Sequence, residues 1–497
     1  MNRYDVVIVG GGLSGLVCGV ALSREGMRVC VLEQHSVIGG CLQSFRREGY
    51  TLDTGMHYVG SLSEGQTMHQ YLKYFGVVDS LQLQRLDERG FDAFLFRDGS
   101  RYVHAMGYEN FADTLAERFP EERLGISGLC RSMREIGALI SPEVLRSGRI
   151  SKGGFDAMSL SAYGEISSHV KNPTLRSVLA GNCSLFAGNM ETSSFYEYGM
   201  ITHSNIEGAY CFVNGSQQLA DALAAQIRAN GGDVVTGAKV RKIHLEGDRA
   251  EYVETENGER YDASYVISSV HPWQTFSMLE NNTVIKRVFF SRIMSLKNSY
   301  GLFATYLLLR PDTVVYENYN SYMFNSSDVW STVGDWRGMN IPMTLLCMQP
   351  DAESQYTRVI TLLTPMSFST CERWTDTRTG HRGEEYRDFK AAFSEAVIDF
   401  VSQYYPDLRG AIYKVYTSSP LTFRDYTSTP EGSAYGLVKD YHNPLVSLIP
   451  TRTKIGNMLL TGQNMNVHGC IGTTISAITT CAEILGTEYL AKKIGDA

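Results

Sequence analysis

Near its start the chain reads Tyr4-Asp-Val-Val-Ile-Val-Gly-Gly-Gly-Leu-Ser-Gly-Leu16, followed by Val29-Cys-Val-Leu-Glu33. Gly10, Gly12 and Gly15 form a G-x-G-x-x-G, and Glu33 stands about 20 residues further on. Val6 to Val9 are a short unbroken apolar run, the pattern of a strand buried on both faces. Leu13, Leu16, Val17, Val20 and Ala21 then recur at helical spacing, and Gly26 is placed to end that helix. Val29 to Leu32 supply a second buried strand with Glu33 at its carboxyl end. Strand, glycine turn, helix and strand in this order hold a pyrophosphate against a helix N-terminus and a ribose hydroxyl against a carboxylate. The acidic residue favours a free ribose 2′-hydroxyl, because it would repel a 2′-phosphate.

A chain of 497 residues is too long for one small core, and two domains are expected. With 43% hydrophobic and 20% charged residues the balance is globular, neither disordered nor membrane-embedded. The net charge of −8 gives no broad attraction to nucleic acid or anionic lipid, so no nucleic-acid partner is expected. The first strand follows Met1 so closely that no cleavable signal peptide is expected, and no run reaches the ~18 apolar residues of a spanning helix. The richest run, Tyr300 to Leu309, reads as a core strand or an interfacial segment. The cysteines are scattered, with no C-x-x-C and no His/Cys cluster at metal spacing. That pattern predicts a reduced, cytoplasmic setting without a structural metal or a redox disulfide.

Further segments extend the nucleotide unit. Gly39-Gly40-Cys41 follows the second strand, where paired glycines let backbone approach a ligand, and Tyr50-Thr-Leu-Asp-Thr-Gly-Met-His-Tyr58 comes next. A second helical passage begins at Asn214-Gly215-Ser216, with Ser216 expected as N-cap and Leu219, Leu223 and Ile227 on one face. Short strands are expected near Val234, Val240 to Ile243, Ala250 to Val253 and Tyr265 to Ser268, as the nucleotide domain returns after an insertion. Phe289 to Trp330, rich in Phe, Tyr, Leu and Met, reads as substrate-domain core, with a ligand cavity as the alternative. The chain closes with Met458-Leu-Leu-Thr-Gly-Gln-Asn464, then His468-Gly-Cys-Ile-Gly472 and a helix striped by Ile471, Ile475, Ile478, Ala482 and Leu485. This is a second helix N-terminus facing something anionic or electron-rich.

These segments together resemble the phytoene desaturase, carotenoid isomerase and retinol saturase group. The resemblance rests on the opening glycine loop, the Val-Leu-Glu33, the Gly-Gly-Cys41 and the Asp-Thr-Gly-x-His57. It continues through Asn214 to Trp273, Ser419-Pro-Leu-Thr-Phe-Arg-Asp-Tyr426, Pro430-Glu-Gly-Ser-Ala-Tyr-Gly436 and Thr461-Gly-Gln-Asn464 with Gly469 and Gly472. It implies an α/β fold: a discontinuous Rossmann-like FAD-binding domain (1–60, 205–280 and 445–497) carrying an inserted mixed α+β substrate domain (61–204 and 281–444), as in amine oxidases and phytoene desaturases. Carried over by position, Gly10, Gly12 and Gly15 face the FAD pyrophosphate and Glu33 the adenosine ribose. Gly39, Gly40 and Cys41 lie along the cofactor, and Val240 meets the adenine. Gly462 and Asn464 reach the pyrophosphate and ribityl chain, with Gly472 in the closing motif. Two departures stand out. Asn464 replaces the family's usual acidic residue, and Asn214 replaces the first glycine of the middle segment; Asn tolerates left-handed backbone, so that turn can survive.

The resemblance implies hydride transfer at the flavin to or from a C=C bond of a hydrophobic polyene or isoprenoid, giving saturation, desaturation or isomerisation. The Gly-Gly-Cys, Asp-Thr-Gly-x-His and Thr-Gly-Gln features lie closer to the saturase and isomerase branch. No nucleophile motif or paired-carboxylate signature stands out; His57, Tyr435 and His468 are the polar candidates near the ring or the substrate mouth, for proton delivery or for structural hydrogen bonds. A flavin amine oxidase is the alternative enzyme. A prenyl- or lipid-binding escort protein on the same fold is the non-enzymatic alternative, opposed by the intact glycine loop. Substrate solubility predicts peripheral contact with a membrane surface; the sequence says nothing of oligomeric state.

Overall fold

The computed structural model describes residues 2–140, 153–332 and 339–497. Its organising element is the strand Asn2–Val9, which pairs in parallel with Val29–Leu32 on one side and Arg260–Ser268 on the other. Asp233–Val235 extends the sheet beyond Val29–Leu32. Arg260–Ser268 is shared: its first half pairs with Arg249–Thr255 and its second half, Val266 to Ser268, with Met458–Leu460 from the far end of the chain. Val240–Glu246 and Leu279–Glu280 complete eight strands. Three stretches distant in sequence thus form one sheet, because Val6 to Val9 are fully enclosed and need neighbours on both edges.

The helix Leu13–Arg24 covers one face of this sheet, its residues Ser14 to Ser23 buried without interruption. Gly26, at φ 81°, turns the chain after it. Ser216 does stand at the N-cap of helix Gln217–Ala229, but its hydroxyl does not cap. The Oγ donates instead to the Leu42 carbonyl at 3.0 Å and to Asp53 at 3.1 Å, tying this helix to the Gly39–Asp53 segment. Asn214 adopts φ 70°, the left-handed turn expected of it.

A second sheet of seven strands runs in the order Ile412–Ser418, Gly301–Leu309, Val359–Met366, Met343–Met348, Asn320–Phe324, Asp92–Phe96 and Arg101–His104. Its pairs are antiparallel except Asn320–Phe324 with Asp92–Phe96. Gly301–Leu309 is buried at every residue, a core strand. Side chains alternate faces along a strand. Phe303 and Leu307 therefore turn to the helix Glu384–Ser402, where Phe303 meets Phe393 with ring centroids 4.6 Å apart. The opposite face, with Leu302, Leu345, Leu363 and Pro365, is left to wall a cavity shared with the first sheet. The helix Phe195–Glu207 closes the other side, started by Ser194, whose Oγ accepts from the Glu197 N–H.

Candidate functional site

The first strand ends at Gly10, where φ of 101° swings the chain into the turn. A Cβ on Gly15 would stand 2.0 Å from the Gly10 carbonyl oxygen, so helix and turn touch through bare backbone. At Gly12 a Cβ would meet nothing within 4 Å; this residue borders open space. Gly39, at φ 115°, donates its N–H to the Gly11 carbonyl at 2.8 Å, and a Cβ on Gly40 would sit 3.3 Å from the Gly12 Cα. Two glycine turns therefore face each other. Glu33 ties the first turn to the loop after the second strand: one carboxylate oxygen accepts the Gly11 N–H at 2.8 Å and the other the His35 N–H at 2.9 Å.

These elements line one end of a cavity of about 350 Å³. It runs from Glu33, His35 and Val240, past Gly10, Gly12 and Ser14 and the Gly39-Gly40-Cys41 turn, to His57, Tyr435 and His468. There the helix Gly469–Leu485 begins, and no side chain caps it: His468 occupies the N-cap position without a capping hydrogen bond. Gly469, Cys470 and Ile471 border the cavity, so uncapped N–H groups of a second helix open on the same space. Leu302, Leu345, Leu363 and Pro365 on the second sheet and Ile201 on helix Phe195–Glu207 line the same cavity and give it an apolar chamber.

The residues fit FAD. Two glycine turns with no Cβ between them, a carboxylate at the end of the second strand and two helix N-termini converge on one elongated cleft, the donor set a dinucleotide pyrophosphate and ribose require. Three of the expected contact residues are set back from it. Gly15, Gly462 and Gly472 do not border the cavity. Gly15 is the packing point under the turn; Gly462, at φ 110°, fits between Ser14 and Ser269; and a Cβ on Gly472 would lie 2.4 Å from the Val467 carbonyl. Asn464 does border the cavity, but its Oδ1 is taken by the Leu437 N–H at 2.9 Å, which leaves only its Nδ2 for a ligand. The neutral amide oxygen at this position thus holds the turn at Gly436-Leu437.

The three polar candidates come together. The rings of Tyr435 and His468 are 4.7 Å apart, and His468 Nε2 donates to the Leu185 carbonyl at 3.0 Å. Burial pushes His468 down to about 4, keeping it neutral near pH 7, while burial raises the Tyr435 phenol. Burial also lowers His57, against the attraction of Asp53, and the buried His57 Nε2 has no partner among the described residues.

The match to a family model spans residues 13–280, more than half the chain, and the model describes flavin-containing amine oxidoreductases. The chain belongs to this family. It is an FAD-dependent oxidoreductase, and its fold is that of the flavin amine oxidases. Among curated proteins it is 24% identical to all-trans-retinol 13,14-reductase of Rattus norvegicus, over 97% of this chain and 86% of that one. It is 22% identical to the chloroplastic prolycopene isomerase of Arabidopsis thaliana, over 99% of this chain and 84% of the relative. Among solved structures, putrescine oxidase bound to putrescine superposes with a TM-score of 0.65 at 14% identity, covering 97% of this chain and 99% of that one. An oxidoreductase from Methanosarcina mazei gives 0.64 at 16% identity, covering 96% and 99%. These structures share the fold.

Sequence reasoning missed a buried network in the chamber wall. Tyr58, beside His57, bonds Asp92 Oδ2 at 2.9 Å and the Tyr322 hydroxyl at 2.7 Å, and Asn320 Nδ2 donates to Asp92 Oδ1 at 3.1 Å. Burial raises Asp92 to about 7, against the hydrogen bonds from Asn320 and Tyr58. The available signal was a lone acid opening the apolar run Asp92-Ala-Phe-Leu-Phe96. Glu197 and Lys439 are two further buried titratable groups: burial pushes the carboxyl up and the amine down, and each opposes the shift of the other. Lys439 Nζ donates to the Asn464 carbonyl at 2.8 Å, so it steadies the closing flavin segment from beneath.

Proposed function

We propose that the chain acts on a carbon–carbon double bond of an apolar polyene or isoprenoid, by saturation or by cis–trans isomerisation. The observation that carries this reading is the chamber wall of Leu302, Leu345, Leu363, Pro365 and Ile201, which continues the nucleotide cleft without a charged residue. Apolar walls bury a hydrocarbon chain and exclude water. Bound FAD supplies hydride acceptance and donation. An amine substrate is disfavoured on charge: Glu33, at the nucleotide end, is the only acidic residue bordering the cavity among the described residues, so an ammonium would enter the chamber without a counter-charge. The polyene reading also agrees with the relatives, which are a retinol reductase and a prolycopene isomerase by name.

In this reading Gly10, Gly12, Glu33, Gly39, Gly40, Cys41 and Val240 hold the cofactor, in a domain made of 1–60, 205–280 and 445–497. His57, whose buried Nε2 has no hydrogen-bond partner among the described residues, is the residue assigned to proton exchange with substrate, while Tyr435 and His468 pack together beside it on the cavity wall. Anaerobic incubation of the oxidised and then the pre-reduced flavoprotein with a panel of retinoids and carotenoids tests the reading by product mass. Gain of H2 from the reduced enzyme indicates saturation, and an unchanged mass with a new isomer indicates isomerisation. Conversion of amines alone would overturn it. Peripheral membrane contact follows from substrate solubility: among the described residues no helix is long and apolar enough to cross a bilayer, and Leu445, Val446 and Leu448 form an exposed apolar stretch. Failure to float with liposomes in low salt would remove that contact.

A further inference from the structure

The buried network of Tyr58, Asp92, Tyr322 and Asn320 lies on the chamber side of the second sheet. Tyr322 stands opposite Leu345 on the neighbouring strand, and Leu345 opposite Leu363, so the three share the face that walls the cavity. Asn320, two residues before Tyr322, and Asp92, in register with Asn320, belong to the same face. Tyr58 approaches from the segment that follows strand Tyr50–Asp53. Of these four residues Tyr58 alone borders the cavity, while Asp92 and Tyr322 are fully enclosed. A hydrogen-bonded path therefore leads from a buried acid to a phenol at the chamber.

The direction of its hydrogens depends on whether Asp92 is protonated. Asp92 Oδ1 accepts from Asn320 Nδ2, which leaves Oδ2 for Tyr58. Tyr322 Oη has Tyr58 Oη as its one partner among the described residues, so an enclosed Tyr322 hydrogen is left unbonded unless Tyr58 accepts it. With Asp92 protonated, Tyr58 Oη accepts from both Asp92 and Tyr322, its two lone pairs are filled, and its own hydrogen is released to the cavity. With Asp92 ionised, Oδ2 only accepts, and the Tyr58 hydrogen is drawn back to it. Burial keeps Asp92 protonated up to about 7. Its other titratable neighbours stay neutral there: burial raises Tyr58, Tyr322 and Cys347, and lowers His104, opposite Asp92 on the next strand, to about 3. Asp53, whose field reaches Cys347, is bonded by Ser44 and Ser216.

We propose that Tyr58 is the catalytic proton donor in double-bond saturation, and that Asp92 is the positioning acid that turns the Tyr58 hydrogen to the chamber and restores it. This rests on the polyene reading and deepens it: His57, held toward the neutral form, is suited to take a proton, and Tyr58 to give one. In saturation a hydride, with both electrons, comes from reduced FAD and forms a C–H bond at one end of the double bond. The Tyr58 O–H bond breaks, and its proton forms the C–H bond at the other end. The Asp92 O–H bond breaks in turn, its proton passes to Tyr58 Oη, and the carboxylate regains a proton from water.

The test mixes pre-reduced, FAD-loaded protein anaerobically with the best-converted member of the retinoid and carotenoid panel and follows flavin reoxidation across pH. The single-turnover rate should hold below about 7 and fall about tenfold per pH unit above it, as Asp92 ionises. Tyr58→Phe should lower the rate by about a hundredfold or more, while the ligand still perturbs flavin absorbance, which shows an intact fold and site. Asp92→Asn, whose amide donates to Tyr58 at every pH, should flatten the decline. Infrared difference spectra of the FAD-loaded protein without substrate, taken below and above about 7, should show a protonated carboxyl that is lost on ionisation and absent from Asp92→Asn. If Tyr58→Phe fails to hold flavin, the Asp92→Asn profile and these spectra carry the test. A full rate in Tyr58→Phe, an unchanged decline in Asp92→Asn, or no such carboxyl overturns the donor and leaves the polyene reading standing. So does isomerisation with no gain of H2. If no member of the panel is converted, the polyene reading falls and takes the donor with it.

Discussion

At its nucleotide end the cavity is walled by backbone, and at its substrate end by side chains. The nucleotide end is built where Gly10, Gly12, Gly39 and Gly40 bring two turns into contact, and where Glu33 fixes the first of them through the Gly11 N–H. The substrate end is built from alternate residues of an antiparallel sheet, each contributing an apolar surface and none making a directional bond. A backbone wall admits only glycine at certain positions, since a single added carbon collides. A side-chain wall asks only for apolar volume, which many sequences supply. The first wall recognises a fixed cofactor; the second is free to suit one substrate or another.

The comparison breaks most sharply at Gly15. In Gly15→Val the new Cβ would fall 2.0 Å from the Gly10 carbonyl oxygen, so helix and turn must separate. Overpacking at such a contact is worth about 3 kcal/mol, or about a hundredfold in affinity. Flavin should no longer accompany the protein through gel filtration, although Gly15 itself does not border the cavity. Full flavin retention would show that the backbone wall is looser than its geometry indicates.

A second test addresses the side-chain wall through its hidden charge. An unfolded Asp92 releases its proton near 3.8, and the folded one near about 7. Between those values the folded protein keeps a proton that the unfolded chain has lost. The stability contributed by Asp92 is therefore fully present below about 3.8 and is lost as pH rises through about 7. The slope is at most about 1.4 kcal/mol per pH unit. Asp92→Asn, which cannot ionise, should remove that slope from the difference between the two proteins' denaturation curves. An identical pH dependence in both would mean that Asp92 is ionised in the folded state.

The smallest effect is expected at the wall itself. Leu345→Ala enlarges the chamber and should raise KM by about fivefold, about 1 kcal/mol of lost apolar contact, while flavin affinity stays unchanged. A loss of flavin in this variant would mean that the two ends of the cavity are not independent.

How much of this could be read from the chain follows the same division. The Gly10 to Gly15 loop, Glu33 and the Gly39-Gly40 pair were legible because backbone contact dictates residue identity at fixed spacing. Glycines 15, 462 and 472 were legible as glycines but not by role: a sequence shows that a position tolerates no side chain, not whether a ligand or a neighbouring backbone fills the space. Asn464 was visible as a departure, yet its bond to the Leu437 N–H depends on a turn from another part of the fold. Asp92 left only a faint local mark, a lone acid opening an apolar run, because its burial is decided by residues distant in the chain.

The sequence by itself determined the cofactor class and the nucleotide cradle, since a strand, a glycine turn, a helix and an acid at short range specify one object. Tertiary structure alone decided the shape and polarity of the chamber. Leu302, Leu345 and Leu363 come from three strands and Ile201 from a helix inserted far from them, and only folding brings these to one wall. The physical reason is range. Local backbone geometry leaves its mark on neighbouring residues, whereas the burial of an acid such as Asp92 is a property of everything packed around it.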